Sequence, residues 1–204
     1  MTRTVDELWL ASLQKLTAHI AHDLKGALNG VSVNVEVVRG RSEREGTTGG
    51  DVHRFAVSAA EQLAVVIRTT GALLSLGRAS RGPADVSAVA KQVGGLLADQ
   101  IAFEGGKLEV SIEGGLSVET SAPLNAVRLA IAESVFAAAG GARQVTVRVR
   151  GLRSPVVQVA PATGAVLPPE VTSSLASAGV RILTDGHGIS IEFPGPPELP
   201  TEVA

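Results

Sequence analysis

The chain has no cysteine among its 204 residues. Disulfides and thiolate metal sites are therefore excluded, and the composition fits a reducing cytoplasm. It has no strongly basic stretch, and the formal net charge is -2. That gives no footing for electrostatic capture of nucleic acid. No run reaches the roughly 18 consecutive apolar residues of a membrane-crossing helix, so none is expected. The opening Met1-Thr2-Arg3-Thr4-Val5-Asp6-Glu7 is acidic where a signal peptide would be basic and then apolar. The expectation is a cytoplasmic chain that does not engage a membrane and takes any input from another protein. No set of nucleophile, base and orienting acid is visible, which argues against a hydrolase. Hydrophobic residues make up 45% of the chain and charged ones 19%. That balance predicts a globular protein, long enough for one or two domains with a real core.

What the sequence does contain is organised around residues 16–38, LTAHIAHDLKGALNGVSVNVEVV. Apolar residues recur at Leu13, Leu16, Ile20, Leu24, Ala27, Val31, Val35 and Val38, in steps of 3 or 4. This is the spacing of an amphipathic helix with a coiled-coil-like seam. His22 falls midway between Ile20 and Leu24. At about 100° per residue it is turned roughly 160° to 200° from the seam. Asp23 is its neighbour, and Lys25 and Asn29 follow at i+3 and i+7 on the same face. The helix is expected to start near Asp6, a possible cap, and to reach about Val38. Gly26 and Gly30 inside it are candidate bend points.

His22-Asp23-Leu24-Lys25-Gly26-Ala27-Leu28-Asn29 resembles the phosphoacceptor box of bacterial histidine kinases: His, an acid, an apolar residue, a base, a small residue, Pro, Leu, then Thr or Asn. Ala27 departs at the Pro position. Gly26 departs where many such proteins carry the Thr or Asn used in phosphatase action.

A polar, glycine-rich loop is expected over residues 39–50, with Asp51 as the cap of a second helix. The seam of that helix reads Val52, Phe55, Ala59, Leu63, Val66, Thr70 and Leu73, and Gly77 should stop it. Two long amphipathic helices joined by a short loop predict an antiparallel hairpin. One hairpin cannot hide its seam from water, whereas two can pair as a four-helix bundle. A homodimer is therefore expected. Residues 77–83 read as a linker.

The second half changes period. Helices are expected over 85–99, 121–139 (Pro123 in the first turn) and 168–178. Strands are expected over 107–113, 144–149 and 156–159, with a short segment at 117–119. A terminal hairpin should join 181–184 to 189–193 around Asp185-Gly186. This order resembles the ATP-binding domain of histidine kinases, an α/β sandwich with helices on one face of a mixed sheet. The fold class implied is α+β: a helical hairpin forming a dimeric bundle, then a reduced ATPase-like sandwich. The domains would be 1–80 for dimerisation and phosphotransfer, 84–196 for the degenerate ATPase-like part, and 197–204 for a flexible tail.

In that family, nucleotide binding implies an asparagine holding Mg²⁺, an Asp-x-Gly-x-Gly turn after the fourth strand, and a glycine-rich phosphate lid. Here no asparagine follows Asn125, and Glu133 or Ser134 falls at the metal-binding position by length. The fourth strand runs into Ala160-Pro161-Ala162-Thr163-Gly164 without an aspartate, and the stretch after Gly164 is too short for a lid. Asp185-Gly186-His187-Gly188 could be a displaced glycine box or a metal site, but an Asp-Gly hairpin turn explains it without function. Glu133 could replace the Mg²⁺ ligand, or be a solvated or capped helix glutamate.

The expected site is thus His22, Asp23, Lys25 and Asn29, with no cofactor and no metal. A neutral imidazole is a competent nucleophile near pH 7. Asp23 could hold one ring nitrogen while the other attacks phosphorus, and Lys25 could offset phosphoryl charge. His19, about 60° round the helix from His22, reads as structural. His53 and His187 have no evident partners. The resemblance implies a histidine phosphotransferase of a two-component phosphorelay. It would exchange a phosphoryl group with the aspartate of a response-regulator receiver domain, which would also supply the Mg²⁺. A second reading is a non-catalytic dimeric scaffold or regulator of such a system. A third is an ATP-dependent autokinase.

Overall fold

The computed structural model describes residues 3–76, 82–103, 105–115, 117–151 and 154–196. Most of the expected linker over 77–83, the Gly77 stop and the expected tail over 197–204 lie outside the described residues. The described chain forms two compact units. One is residues 17–76. The other joins residues 3–16 to everything from 82 onward. The first helix, α1 (Val5–Ser42), is shared: its opening turns belong to the second unit and the rest to the first.

In the unit of residues 17–76, α1 and α2 (Gly49–Leu76) form the expected antiparallel hairpin. α1 runs through Gly26 and Gly30 as one helix and continues a turn past Val38. The loop is correspondingly shorter than expected. Thr48, rather than Asp51, caps α2. Its backbone N–H and its hydroxyl donate to Asp51 Oδ2 at 2.9 and 2.8 Å, the reach-back of a capping box. The same device starts α1: Thr4 N–H donates to Glu7 Oε2 at 2.8 Å, and Glu7 N–H donates to Thr4 Oγ1 at 3.3 Å. Near the loop, the guanidinium groups of Arg41 and Arg54 lie 4.9 and 4.5 Å from the centre of the Phe55 ring.

The interior of this hairpin is partly polar. Asn34 Nδ2 donates to Ser58 Oγ at 3.3 Å and to Gln62 Oε1 at 3.2 Å. A Cβ on Gly30 would run into the Gln62 amide, so a side chain there would push the end of Gln62 aside. The single seam read for α2 resolves into two stripes. Phe55, Ala59, Gln62, Val66, Thr69, Leu73 and Leu76 are buried or half-buried. Leu63, Ile67 and Leu74, in steps of 4 and 7, stand exposed, as do Leu28 and Val35 of α1. α2 is long and apolar enough to cross a membrane by length and composition. That differs from the expectation from apolar runs, which Glu61 and Arg68 interrupt.

The other unit is an α/β sandwich. Its elements are β1 (Ala84–Asp85), α3 (Val86–Phe103), β2 (Lys107–Ile112), β3 (Glu119–Thr120), α4 (Leu124–Ala139), β4 (Gln144–Arg150), β5 (Val156–Ala160), α5 (Pro169–Ser177), β6 (Arg181–Thr184) and β7 (Ile189–Glu192). The main sheet has the order β2-β4-β5-β7-β6, parallel between β2 and β4 and antiparallel elsewhere. The period-2 alternation gives it a buried face. Val145, Val147, Val149, Val157, Val159, Ile189 and Ile191 are all fully buried beneath the helices, while Arg148 and Arg150 point outward. β3 joins β1 in a separate antiparallel pair instead of the main sheet. Asp85 ends β1 and caps α3, accepting from Ala88 N–H at 3.0 Å and from Ser117 Oγ at 2.8 Å. This architecture, a helical hairpin followed by an α/β sandwich, is the fold class expected.

Candidate functional site

All four expected site residues stand on α1. The seam residues Ile20 and Leu24 are buried and half-buried, which turns the positions between them outward. The His22 side chain is 81% exposed. Its Nδ1 lies 3.5 Å from Asp23 Oδ1, and Asp23 itself is partly sheltered. Lys25 and Asn29 are exposed one and two turns further on, and Val33 and Glu36 continue the same face. The Asp23 carboxylate stands beside one ring nitrogen, and the exposure of the ring leaves the other open to a partner. That arrangement suits attack on an electrophile brought by a partner. The His19 side chain lies outside what is described. His53, on α2, and His187, at the β6–β7 turn, are exposed.

In the α/β unit, the residue at the metal position implied by the resemblance is otherwise engaged. Glu133, on α4, is buried, neither solvated nor a cap. Its Oε1 accepts from Ser12 Oγ, and Lys15 Nζ stands 3.8 Å away. Both partners come from the opening turns of α1. Further along the same contact, Asn125 Nδ2 donates to Asp6 Oδ1 at 2.9 Å. Arg128 donates to Asn125 Oδ1 at 3.1 Å, and its guanidinium lies 6.0 Å from the centre of the Trp9 ring. Leu8, Trp9, Ser12 and Leu16 are buried here. Burial holds the Arg128 pKa below its usual value. Ser134 Oγ is buried with no hydrogen-bond partner among the described residues. The sequence offered no local signal for this contact, because Ser12 and Glu133 are 121 residues apart.

Asp185 is a turn residue. Its Oδ1 accepts from His187 and Gly188 N–H at 2.8 and 2.7 Å, which holds its carboxyl below the usual range. Among the described residues, no three His, Cys, Asp or Glu side chains gather where they could hold a metal ion.

No protein-family model and no curated protein matches the chain. Solved structures do. The Acinetobacter baumannii histidine kinase AdeS aligns over 85% of this chain and 98% of its own, at 9% identity and a TM-score of 0.47. A histidine kinase from Burkholderia phymatum aligns over 87% of this chain and 97% of its own, at 13% identity and a TM-score of 0.41. The histidine kinase ThkA, solved in complex with the response regulator protein TrrA, aligns over 92% of this chain and 62% of its own, at 14% identity and a TM-score of 0.41.

Proposed function

We propose that the protein is a dimeric, cytoplasmic histidine phosphotransferase of a two-component system. It exchanges a phosphoryl group between His22 and the aspartate of a response-regulator receiver domain. The observation that carries this reading is the exposed His22 imidazole with Asp23 at its Nδ1 and Lys25 and Asn29 along the same face. In the forward step, Nε2 attacks phosphorus and the aspartyl carboxylate leaves. Asp23 stabilises the positive charge that develops on the ring, and Lys25 faces the phosphoryl oxygens. The receiver contributes its aspartate and Mg²⁺, so this chain supplies neither metal nor nucleotide. The reading without ATP is favoured by what lies on α4: the Glu133 carboxylate is taken up by Ser12 and Lys15. An ammonium beside that carboxylate opposes a metal cation at the same place.

The experiment is label transfer from a phosphorylated receiver of the same organism. Wild type should be labelled and His22→Gln should not. Asp23→Asn should slow transfer by about 10²-fold, the scale of a lost general base. His19→Ala should transfer at nearly the wild-type rate. Labelled ATP alone should leave the chain unlabelled. Equal labelling of His22→Gln, or no labelling of wild type by any receiver, removes the phosphotransfer reading and leaves the scaffold. Labelling by ATP alone revives the autokinase.

A further inference from the structure

α4 has two unlike faces. The one turned to the sheet carries Val127, Ile131, Ser134 and Ala138, all essentially inaccessible and apolar but for one hydroxyl. The other carries Asn125, Arg128 and Glu133, and the opening turns of α1 cover it. The contacts advance together along both helices: Asp6 with Asn125, Trp9 with Arg128, Ser12 and Lys15 with Glu133. The two segments therefore run in the same direction. At the near end, Arg3 O accepts from Ser174 Oγ of α5 at 3.2 Å.

We infer that residues 4–16 form a detachable latch on α4, so that this face has a closed and an open state. A permanent helix contact is built from apolar side chains that water cannot satisfy. Beside Leu8, Trp9 and Leu16, this one buries the Arg128 guanidinium, held by Asn125, and the Glu133 carboxylate, held by Ser12 and Lys15, and the desolvation of each offsets much of what its partners contribute. In the open state the same two groups are hydrated, while Leu8, Trp9 and Leu16 and the α4 side chains beneath them lose cover. Local opening of such a segment, ahead of the core, is the expected hierarchy. The inference does not depend on the phosphotransfer reading.

Trp9 reports the latch directly, because it is the only tryptophan and the chain has no tyrosine. The experiment uses the full chain. In wild type, hydrogen exchange should run at least tenfold faster at the amides of Val5–Leu16 than at those of Leu124–Ala139. It should do so through an opening that depends little on denaturant. Ser12→Asp sets a second carboxylate against Glu133. It should raise acrylamide quenching of Trp9 several-fold while β4 and β5 keep their amide protection. Glu133→Gln keeps an acceptor for Ser12 and should leave quenching within about twofold of wild type. The latch is overturned if Val5–Leu16 and α4 exchange through one common opening. It is equally overturned if Ser12→Asp leaves Trp9 quenching unchanged, or strips protection from β4 and β5 together with Val5–Leu16.

Discussion

Gly26 and Gly30 lie one turn apart on α1 in opposite surroundings. A Cβ at Gly26 would meet nothing within 4 Å, whereas at Gly30 it would collide with the Gln62 amide. Gly26→Ala should therefore stabilise the protein, by about 0.5–1 kcal/mol. Gly30→Ala should displace the Gln62 amide from Asn34, and the lost hydrogen bond, about 0.5–1.5 kcal/mol, should cancel the gain in helix propensity and leave stability within about 1 kcal/mol of wild type. Urea midpoints at unchanged slope decide this, and a lowered midpoint for Gly26→Ala would contradict the open space beside it. The sequence carries a glycine at both positions and cannot distinguish them, because what fills the space comes from the other helix. The outward placement of His22 was legible for the converse reason. Its angle to Ile20 and Leu24 is fixed by the helix itself. Glu133 was not, since its cover arrives from the far end of the chain.

Elements were legible wherever a period ran long enough. Alternation marks β4 and β5 within a residue or two, and 3-4 spacing marks both long helices. The two-residue β1 carries no period, and its pairing with β3 is visible only in space. The caps were misplaced at Asp6 and Asp51 because the acid, taken alone, outweighed the Thr two or three residues upstream. Thr4 with Glu7 and Thr48 with Asp51 fit the reciprocal pattern. Backbone hydrogen bonds from those threonines lower the Glu7 and Asp51 pKa values, and those from His187 and Gly188 lower that of Asp185. A carboxyl depressed by folding contributes stability above its unfolded pKa of roughly 4 and loses it as pH falls through the folded value. Thermal melts from pH 7 to 3 should thus show the melting temperature dropping below about pH 4. The drop should be shallower in Glu7→Gln/Asp51→Asn/Asp185→Asn. An equally steep drop in that triple variant would show that these carboxyls are not the titrating groups.

At the scale of the whole molecule, Leu63, Ile67 and Leu74 of α2, with Leu28 and Val35 of α1, leave large apolar side chains exposed on the hairpin. We propose that a second copy covers them and completes a four-helix bundle. Light scattering should give twice the chain mass of 20.8 kDa. Ile67→Asp should give one chain mass with helicity kept, because Ile67 is 65% exposed within its own chain. Ile20, a seam residue in the sequence, is a poor probe of assembly: it is already buried within one chain, so a charge there unfolds rather than separates. A wild-type mass of one chain ends the dimer proposal. The sequence pattern merged the inward and outward stripes of α2 into one seam, since adjacent 3-4 stripes share a period and differ only in phase.

The amide of Asn34 has a further consequence for α1 and α2. Two helices joined through valine, leucine and alanine can slide past each other by a turn and find nearly equivalent contacts. Asn34 reaches both Ser58 and Gln62, which lie one turn apart, so sliding by one turn breaks one of these hydrogen bonds and sliding by two turns breaks both. One polar layer thus sets the alignment of the pair, as a single buried asparagine does in coiled coils. Residues added to the connection at 43–48 would then bulge outward, leaving every facing pair along the hairpin where it was.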